Sequence, residues 1–250
     1  LVALPKKNIA ADYYIPPTKT QPKIDGILER NEWVDASEVL VNIETDPADS
    51  VKSDVKTRAL LMENGETLFI AFIAHDRNPD QIRAFYRDRD LLWSDDRVGV
   101  SLDTFNDERR AYEFWVNPLG VQADGTYDDI NQRSDSSWNA IWQSAGKINV
   151  DGYVVEIAIP FKQLRFAPSK KKQQWGLELI RRYPRDRNTR IANSVINRDV
   201  SCRLCQFSKA EGMMDIRAGR NLELIPSFTA NSIRRRDLNL GTWQDDGVKS

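Results

Sequence analysis

The stretch Gly152–Phe166 decides the fold and reads Gly-Tyr-Val-Val-Glu-Ile-Ala-Ile-Pro-Phe-Lys-Gln-Leu-Arg-Phe. It follows a turn, and its β-branched residues alternate through Val155, Ile157 and Ile159, which predicts a strand. Pro160 then ends the strand, because proline cannot donate a hydrogen bond to a sheet. We expect the residues after it to form a short turn that places their apolar side chains under the sheet.

Hydrophobic alternation recurs between turn signals along the chain, and no helical period is sustained over a long segment. The clearest hairpin signal is Asn64-Gly65, and residues 67–74 after it are apolar on both faces, which predicts a central strand. The pattern predicts an all-β fold, an antiparallel two-sheet β-sandwich. The other segments expected to form strands are residues 97–103 with 111–117, 138–147 with 153–159, and 175–183, with a turn at 122–127 and a charged loop or helical turn at 80–90.

Three parts of the chain differ in their pattern of polar and apolar residues. Residues 1–14 are polar and contain a proline, so we expect an extended lead-in, and residues 15–218 carry the sandwich pattern. In the tail, 219–250, an alternating segment of about ten residues is typical of a transmembrane barrel strand. We interpret the tail either as an additional sandwich strand or as the start of a truncated β-barrel.

Composition limits the partners. Apolar residues make up 40% of the 250-residue chain, and the net charge of −1 creates no field that favours nucleic acid or anionic lipid. The arginine runs at 181–187 and 234–236 are interpreted as solvated strand faces and turns. No apolar run reaches the roughly 18 residues of a membrane-spanning helix, so no transmembrane segment is predicted. The chain begins at Leu1, and we expect that it has been processed or cut.

The two cysteines form one Cys-x-x-Cys motif, Cys202 and Cys205. A zinc site needs about four nitrogen or sulfur ligands, and His75 is the only histidine. No βαβ pattern surrounds the motif, which argues against a thioredoxin-like redox site. The alternatives are a local disulfide in an oxidising compartment and free thiols, and we favour the disulfide.

Several phrases carry a resemblance to a known family. In chain order they include Ile24-Asp25-Gly26 with Glu32-Trp33, Asp95-Asp96 before residues 98–103, Phe114 to Gly120, Trp138 with Trp142, Glu156 to Phe166, and Trp175-Gly176. Over roughly residues 15–220 the chain resembles the family 9 carbohydrate-binding module superfamily, and specifically the amino-terminal domain of bacterial outer-membrane proteins that carry a carboxy-terminal β-barrel. Residues 219–226 resemble the junction into that barrel.

The resemblance implies a set of functional expectations. They are a saccharide partner, frequent binding of a structural calcium ion, the chain's own carboxy-terminal β-barrel as a further partner, and a place in the Gram-negative cell envelope, in the periplasm or outer membrane. The family's sugar-clamping tryptophan precedes an acidic pair, and here Trp93 precedes Asp95 and Asp96 in a loop. These three residues are therefore the candidate sugar site. The family's second clamping tryptophan has no counterpart in residues 191–195.

The remaining tryptophans are expected to be structural: Trp33 and Trp115 in the core, and Trp138, Trp142 and Trp175 in or beside strands. For calcium, which takes six to eight oxygen ligands, the better candidates are Asp124 and Asp128.

Catalysis is not indicated by the sequence. Adjacent residues on a strand point to opposite faces, so neither Asp95-Asp96 nor Asp128-Asp129 forms an acid/base couple for glycoside cleavage. We therefore predict a non-catalytic, exported module that stacks a saccharide on a loop tryptophan. The alternative is an accessory or plug domain of an outer-membrane barrel that binds protein. An exposed Trp93 beside polar groups would favour the first.

Overall fold

The computed structural model describes residues 11–167, 172–216, 231–236 and 243–249, the last two segments in backbone only. Contacts divide the chain into two units, Leu1–Gly219 and Arg220–Ser250. In the described residues the regular elements are strands and three short 3-10 turns, Pro79–Gln81, Phe161–Gln163 and Leu204–Gln206. None of these turns approaches the length needed to cross a bilayer. The strands are β1 (Tyr13–Tyr14), β2 (Ser37–Leu40), β3 (Ile43–Asp46), β4 (Val51–Lys52), β5 (Thr57–Glu63), β6 (Thr67–His75), β7 (Arg97–Asp103), β8 (Arg110–Val116), β9 (Gln122–Asp128), β10 (Arg133–Asp135), β11 (Gln143–Asn149), β12 (Gly152–Pro160), β13 (Gln174–Pro184), β14 (Asn188–Ala192), β15 (Ser208–Glu211), β16 (Asn231–Arg236) and β17 (Trp243–Lys249).

Two sheets form the first unit, which confirms the predicted sandwich. The larger has the order β10-β9-β8-β7-β13-β14-β3-β4, and β15 joins it by pairing with β13. The smaller has the order β11-β12-β6-β5-β2. The described pairings are antiparallel except that β1 runs parallel to β15, together with one parallel bridge between Pro17 and Glu63.

The core lies between the two sheets. Val155, Ile157 and Ile159 of β12 point into it, and Phe161 and Leu164 of the following turn are buried beneath them, as predicted. Burying each of these side chains contributes about 1.5 to 3 kcal/mol. β6 lies between β5 and β12, and its two faces enter two different buried clusters, which explains why it is apolar throughout.

Three local expectations differ from the structure. Residues 122–127 form strand β9 rather than a turn, because Gly125 allows a close backbone approach: a Cβ there would lie 2.6 Å from the carbonyl oxygen of Asp135. In the segment 138–147 the strand starts only at Gln143. The last two residues of the expected lead-in form the short strand β1, directly before Ile15, which is buried in the core of the expected sandwich.

The second unit is described by one antiparallel hairpin, β16 with β17. The alternating segment at 221–230 lies outside the described residues, and the interpretation of the tail as part of a barrel stays a prediction. The arginine run at 234–236 lies in β16, where the backbone alone is described.

Candidate functional site

The outer face of the larger sheet carries polar and aromatic side chains. In β7, Val98, Val100 and Leu102 enter the core, so Arg97 and Ser101 point to the opposite face. The same alternation turns Phe114 of β8 inward and its neighbours outward. The alternation of residues in these strands thus places apolar side chains on the core face and polar and aromatic side chains on the outer face.

A cavity of about 650 Å³ lies on this outer face. Its size falls within the range typical of small-molecule sites. Its lining combines two tryptophans, five arginines, three carboxylates and small polar residues, and it includes Trp93, Trp115, Arg97, Arg182, Arg190, Arg198, Arg203, Glu113, Asp124, Asp135, Gln132 and Ser134.

Two indoles meet in the cavity. Trp93 is 46% exposed and its ring centroid lies 6.3 Å from that of Trp115, edge to face at 70°. Trp115 is only 8% exposed and packs on the outer face with Leu92 and Ile180. It fits there because the neighbouring residue is Gly99, where a Cβ would lie 2.7 Å from the indole Cδ2 atom. Trp115 is buried, as expected, but it lines the cavity and not the central core.

Arg97 lies against both indoles. Its guanidinium carbon is 5.5 Å from the Trp93 ring centroid and 5.6 Å from that of Trp115. One terminal nitrogen donates to the Trp93 carbonyl at 2.6 Å and to the Asp95 carbonyl at 3.1 Å. Burial, followed by the nearby charge of Arg182, lowers the pKa of Arg97 to about 10. The side chain therefore stays charged at neutral pH and fixes the backbone of the Trp93 loop.

A buried ion network supports the other wall. Glu178 is 0% exposed and accepts hydrogen bonds from Arg190 at 2.5 Å and from Arg203 at 2.9 Å. Arg203 also donates to Glu113 at 3.0 Å. Burial alone would raise the pKa of Glu178, but the two arginines outweigh burial and hold that pKa below its ordinary value. The network holds the Arg203 guanidinium against the sheet.

The structure places Asp95 and Asp96 beneath the loop that carries Trp93. Both are 0% exposed. Asp95 accepts hydrogen bonds from the Phe85 amide at 3.2 Å and from Asn117 Nδ2 at 2.9 Å. Asp96 accepts from the Arg83 amide and from Arg185, both at 2.8 Å. Burial raises the pKa of Asp96, and the hydrogen bond from Arg185 opposes that shift.

This placement corrects the expected role of the acidic pair. Because neither carboxylate reaches solvent in this conformation, neither can touch a saccharide directly. Asp95 and Asp96 are positioning residues, which anchor the Trp93 loop to the strands. Saccharide contact by Trp93 itself stays a prediction.

Asp124 and Asp128 do not form a shared calcium site. Both lie on β9, and four residues along a strand separate them by about 13 Å. Asp124 is buried and accepts hydrogen bonds from Arg89 Nε at 3.0 Å and from the Ala140 amide at 2.6 Å. Asp128 accepts from the Asn131 amide at 3.1 Å and from its side chain at 3.1 Å. The carboxylate oxygens of Asp124 and Asp128 accept hydrogen bonds from the protein at two separate places, and this arrangement does not fit a single bound ion.

Cys202 and Cys205 are joined in a disulfide. With Glu108 they form the one group of three potential metal ligands found in the described part of the chain. Sulfurs bonded to each other are not thiolate ligands, so this group does not fit a metal either.

Sequence reasoning missed most of the cavity. Contrary to the expectation of a solvated face at Arg181–Arg182, Arg181 is fully buried and donates to the His75 carbonyl at 2.8 Å. Arg182 points the other way and lines the cavity. The alternation of β13, which places Glu178 and Arg182 on one face, is the signal that could have found them.

The comparisons with known proteins agree with this architecture. Residues 24–198 match the family model described as carbohydrate family 9 binding domain-like. A family 9 carbohydrate-binding module from Caldicellulosiruptor kristjanssonii in complex with cellotriose has a TM-score of 0.54 at 16% identity, covering 86% of this chain and 99% of that one. The module of that organism in complex with glucose gives 0.53 at 16% identity, covering 85% and 98%.

A protein from Bacteroides uniformis, described as a candidate carbohydrate-binding protein, has a TM-score of 0.62 at 12% identity, covering 80% of this chain and 98% of that one. No curated protein sequence matches this chain. At such identities the likeness to the solved structures shows a common fold.

Proposed function

The chain belongs to the carbohydrate family 9 binding domain-like family, and from that premise we propose that it is a non-catalytic module that binds a saccharide in the cavity beside Trp93. The observation that carries the proposal is the half-exposed indole of Trp93 at the edge of a polar cavity. Saccharides are bound by stacking an apolar sugar face on an aromatic ring while polar groups bond the hydroxyls.

The polar groups that the proposal needs line the same cavity as the indole. Glu113 supplies carboxylate oxygens, and the exposed hydroxyl of Ser134 can both donate and accept. The complexes of related folds with cellotriose and glucose support the choice of ligand class. Since Trp115 meets Trp93 edge to face, the sugar would stack on one ring and not between two parallel rings.

Substitution of Trp93 tests the proposal. One-sided stacking contributes about 1 to 2 kcal/mol, so Trp93→Ala is expected to weaken saccharide binding roughly tenfold. The melting temperature should stay nearly unchanged, because the side chain is 46% exposed. A glycan array on the whole chain identifies the ligand, and isothermal titration calorimetry with that ligand measures the effect.

Tyr86→Ala is the matched control. Tyr86 is an aromatic residue of the same loop, is 84% exposed and does not line the cavity, so its removal should leave the affinity unchanged. Equal affinities of the Trp93→Ala variant and the unaltered chain would contradict the stacking role. A loss of about 3 to 5 kcal/mol in unfolding free energy would show that Trp93 is a core residue.

A second candidate function is an accessory domain of the cell envelope that contacts another protein. It is favoured by the exposure of Phe85 at 56%, Tyr86 at 84% and Leu91 at 59% in one loop, and by the disulfide, which is typical of oxidising compartments. A photoreactive residue at position 86 should give a discrete protein adduct in cells if this second function holds. Glycan binding without any adduct would favour the first.

A further inference from the structure

Three arginines lie side by side across the floor of the cavity. Arg182 of β13 is the direct cross-strand partner of Arg97 in β7 and of Arg190 in β14. Cross-strand partners share one face of a sheet, and all three residues line the cavity. Like charges placed directly opposite each other destabilise a sheet, so this row is unfavourable unless something neutralises it.

The protein neutralises one end of the row more than the other. Arg190 forms an ion pair with the buried Glu178 at 2.5 Å. Among the described residues, Arg182 forms its one ion pair with Asp46, at 3.4 Å, and that carboxylate is 56% exposed. Arg97 has no ion pair among the described residues, and its buried Nε atom has no hydrogen-bond partner there.

The carboxylates of the cavity do not fill this gap. Glu113 is engaged by Arg203 at 3.0 Å, and Asp124 by Arg89 Nε at 3.0 Å. Asp135 lies on the exposed β10 at the far wall. The nearby Asp95 and Asp96 offset part of the charge of Arg97, but neither forms an ion pair with it among the described residues, so this end of the row keeps positive charge next to Trp93.

A guanidinium group is built to receive a carboxylate or a sulfate through paired N–H donors. We propose that the saccharide bound here is acidic, with its carboxylate or sulfate group received between Arg97 and Arg182 while its ring contacts Trp93. This rests on the proposed saccharide-binding function and names its ligand class. The Arg97 guanidinium carbon lies 5.5 Å from the Trp93 ring centroid, so the two proposed contacts are adjacent. The lowered pKa of Arg97, caused by burial and then by Arg182, agrees with a place where an anion is favourable.

The test compares acidic sugars with neutral counterparts by isothermal titration calorimetry. One pair is oligogalacturonate and the same oligosaccharide after reduction of its carboxyl groups, and the other is a sulfated dextran oligosaccharide and unsulfated dextran. The acidic member of at least one pair should bind tenfold or more tighter at about 0.15 M salt. The pair that shows the preference distinguishes a carboxylate from a sulfate.

Arg182→Gln is the main variant, because it removes the charge without touching the bonds that hold the Trp93 loop. Because this variant loses a hydrogen bond between charged groups, it should bind the acidic sugar roughly 10- to 100-fold more weakly. Its affinity for the neutral sugar should stay unchanged. Arg97→Gln should have the same effect on the acidic sugar. Arg58→Gln is the control, since Arg58 lies in β5 of the other sheet and pairs with Glu38, so it changes the net charge equally.

The outcomes separate the two levels of the proposal. Trp93-dependent binding that does not distinguish acidic from neutral sugars would overturn the acidic ligand and leave saccharide binding intact. An equal loss of affinity in Arg58→Gln and Arg182→Gln would also overturn it, because attraction would then follow net charge. Binding of neither acidic nor neutral saccharide would overturn the proposed function itself. Thermal melting of each variant verifies that it is folded.

Discussion

Glu178 is the residue on which the outer face of the sheet depends. It is fully buried, and both of its oxygens are bonded to arginines. Breaking a buried pair by removing one partner leaves an uncompensated charge, which costs more than the pair itself contributes. In this protein, Glu178 holds two cations together on the face that lines the cavity.

We expect Glu178→Gln to lower the free energy of unfolding by about 3 to 5 kcal/mol at pH 7, because Arg190 and Arg203 would lose their shared anion. The effect should depend on pH. The folded-state pKa of Glu178 lies below its ordinary value, so its contribution is complete above the unfolded pKa of about 4.5 and is lost as the pH falls through the lower folded pKa.

Urea denaturation of both chains between pH 7 and pH 3 checks this. The stability difference should be constant at the neutral end and shrink towards the acidic end. A difference that stays the same down to pH 3 would show that the charge of Glu178 is not what stabilises the face. Glu38→Gln, which alters an exposed carboxylate paired with Arg58, should change stability by less than about 1 kcal/mol.

At the residue scale the sequence located the Trp93 loop but not the orientation of its acidic residues. Asp95 and Asp96 lie before the first strand residue of β7, where no alternation assigns a side chain to a face. Their inward orientation depends on donors far away in sequence, such as Asn117 and Arg185. A single sequence carries no signal for those long-range pairs.

At the element scale, the loop between β14 and β15 covers part of the sheet. Its residue Leu204 is fully buried, and the amides of Arg203 and Leu204 donate to Asp129 at 2.9 and 3.1 Å. The disulfide between Cys202 and Cys205 closes a short loop that contains Arg203 and Leu204. Arg203 is thus held by the loop backbone and by its ion pairs with Glu113 and Glu178.

Replacing both cysteines with serine should lower the free energy of unfolding by about 2 kcal/mol, the chain-entropy value for so short a closed loop. Saccharide affinity should not change, because the ion pairs and the Asp129 bonds keep Arg203 in place. Chemical denaturation and calorimetry on the double variant measure both quantities. Lost binding in a variant that still folds would show that the disulfide positions the site.

Strand identity was predictable where alternation is strong, as in β7, β12 and β13. It failed in β9, where Asp124-Gly125 gave a turn signal, although the glycine serves a close approach of β10. The full arginine row could not be predicted, because it depends on the register of β13 both against β14, the next strand in the chain, and against β7, which is distant in sequence. The alternation of a strand shows on which face of the sheet a residue lies, but it does not show which residues lie beside it on the neighbouring strands.

At the scale of the whole molecule, the first and last strands of the sandwich, β1 and β15, pair with each other. β1 pairs in parallel with β15, with Tyr13 opposite Ala210 and Tyr14 opposite Glu211. The Ile15 amide then donates to the Glu211 carbonyl at 2.7 Å. Through β15, which pairs with the first residues of β13, the segment expected to be a lead-in therefore joins the larger sheet.

Ile15 should therefore contribute to global stability as a core residue. Its side chain is 1% exposed within the main hydrophobic cluster, and truncating a buried isoleucine to alanine costs about 2 to 5 kcal/mol. We expect Ile15→Ala to lower the urea midpoint without changing the slope of the transition, since the same surface is exposed on unfolding. Tyr14→Ala, one residue away and 47% exposed, should shift the midpoint much less.

Equal shifts in the two variants would mean that strand pairing, and not burial of Ile15, ties the start of the chain to the sandwich. No shift in either would mean that the sandwich is complete without it.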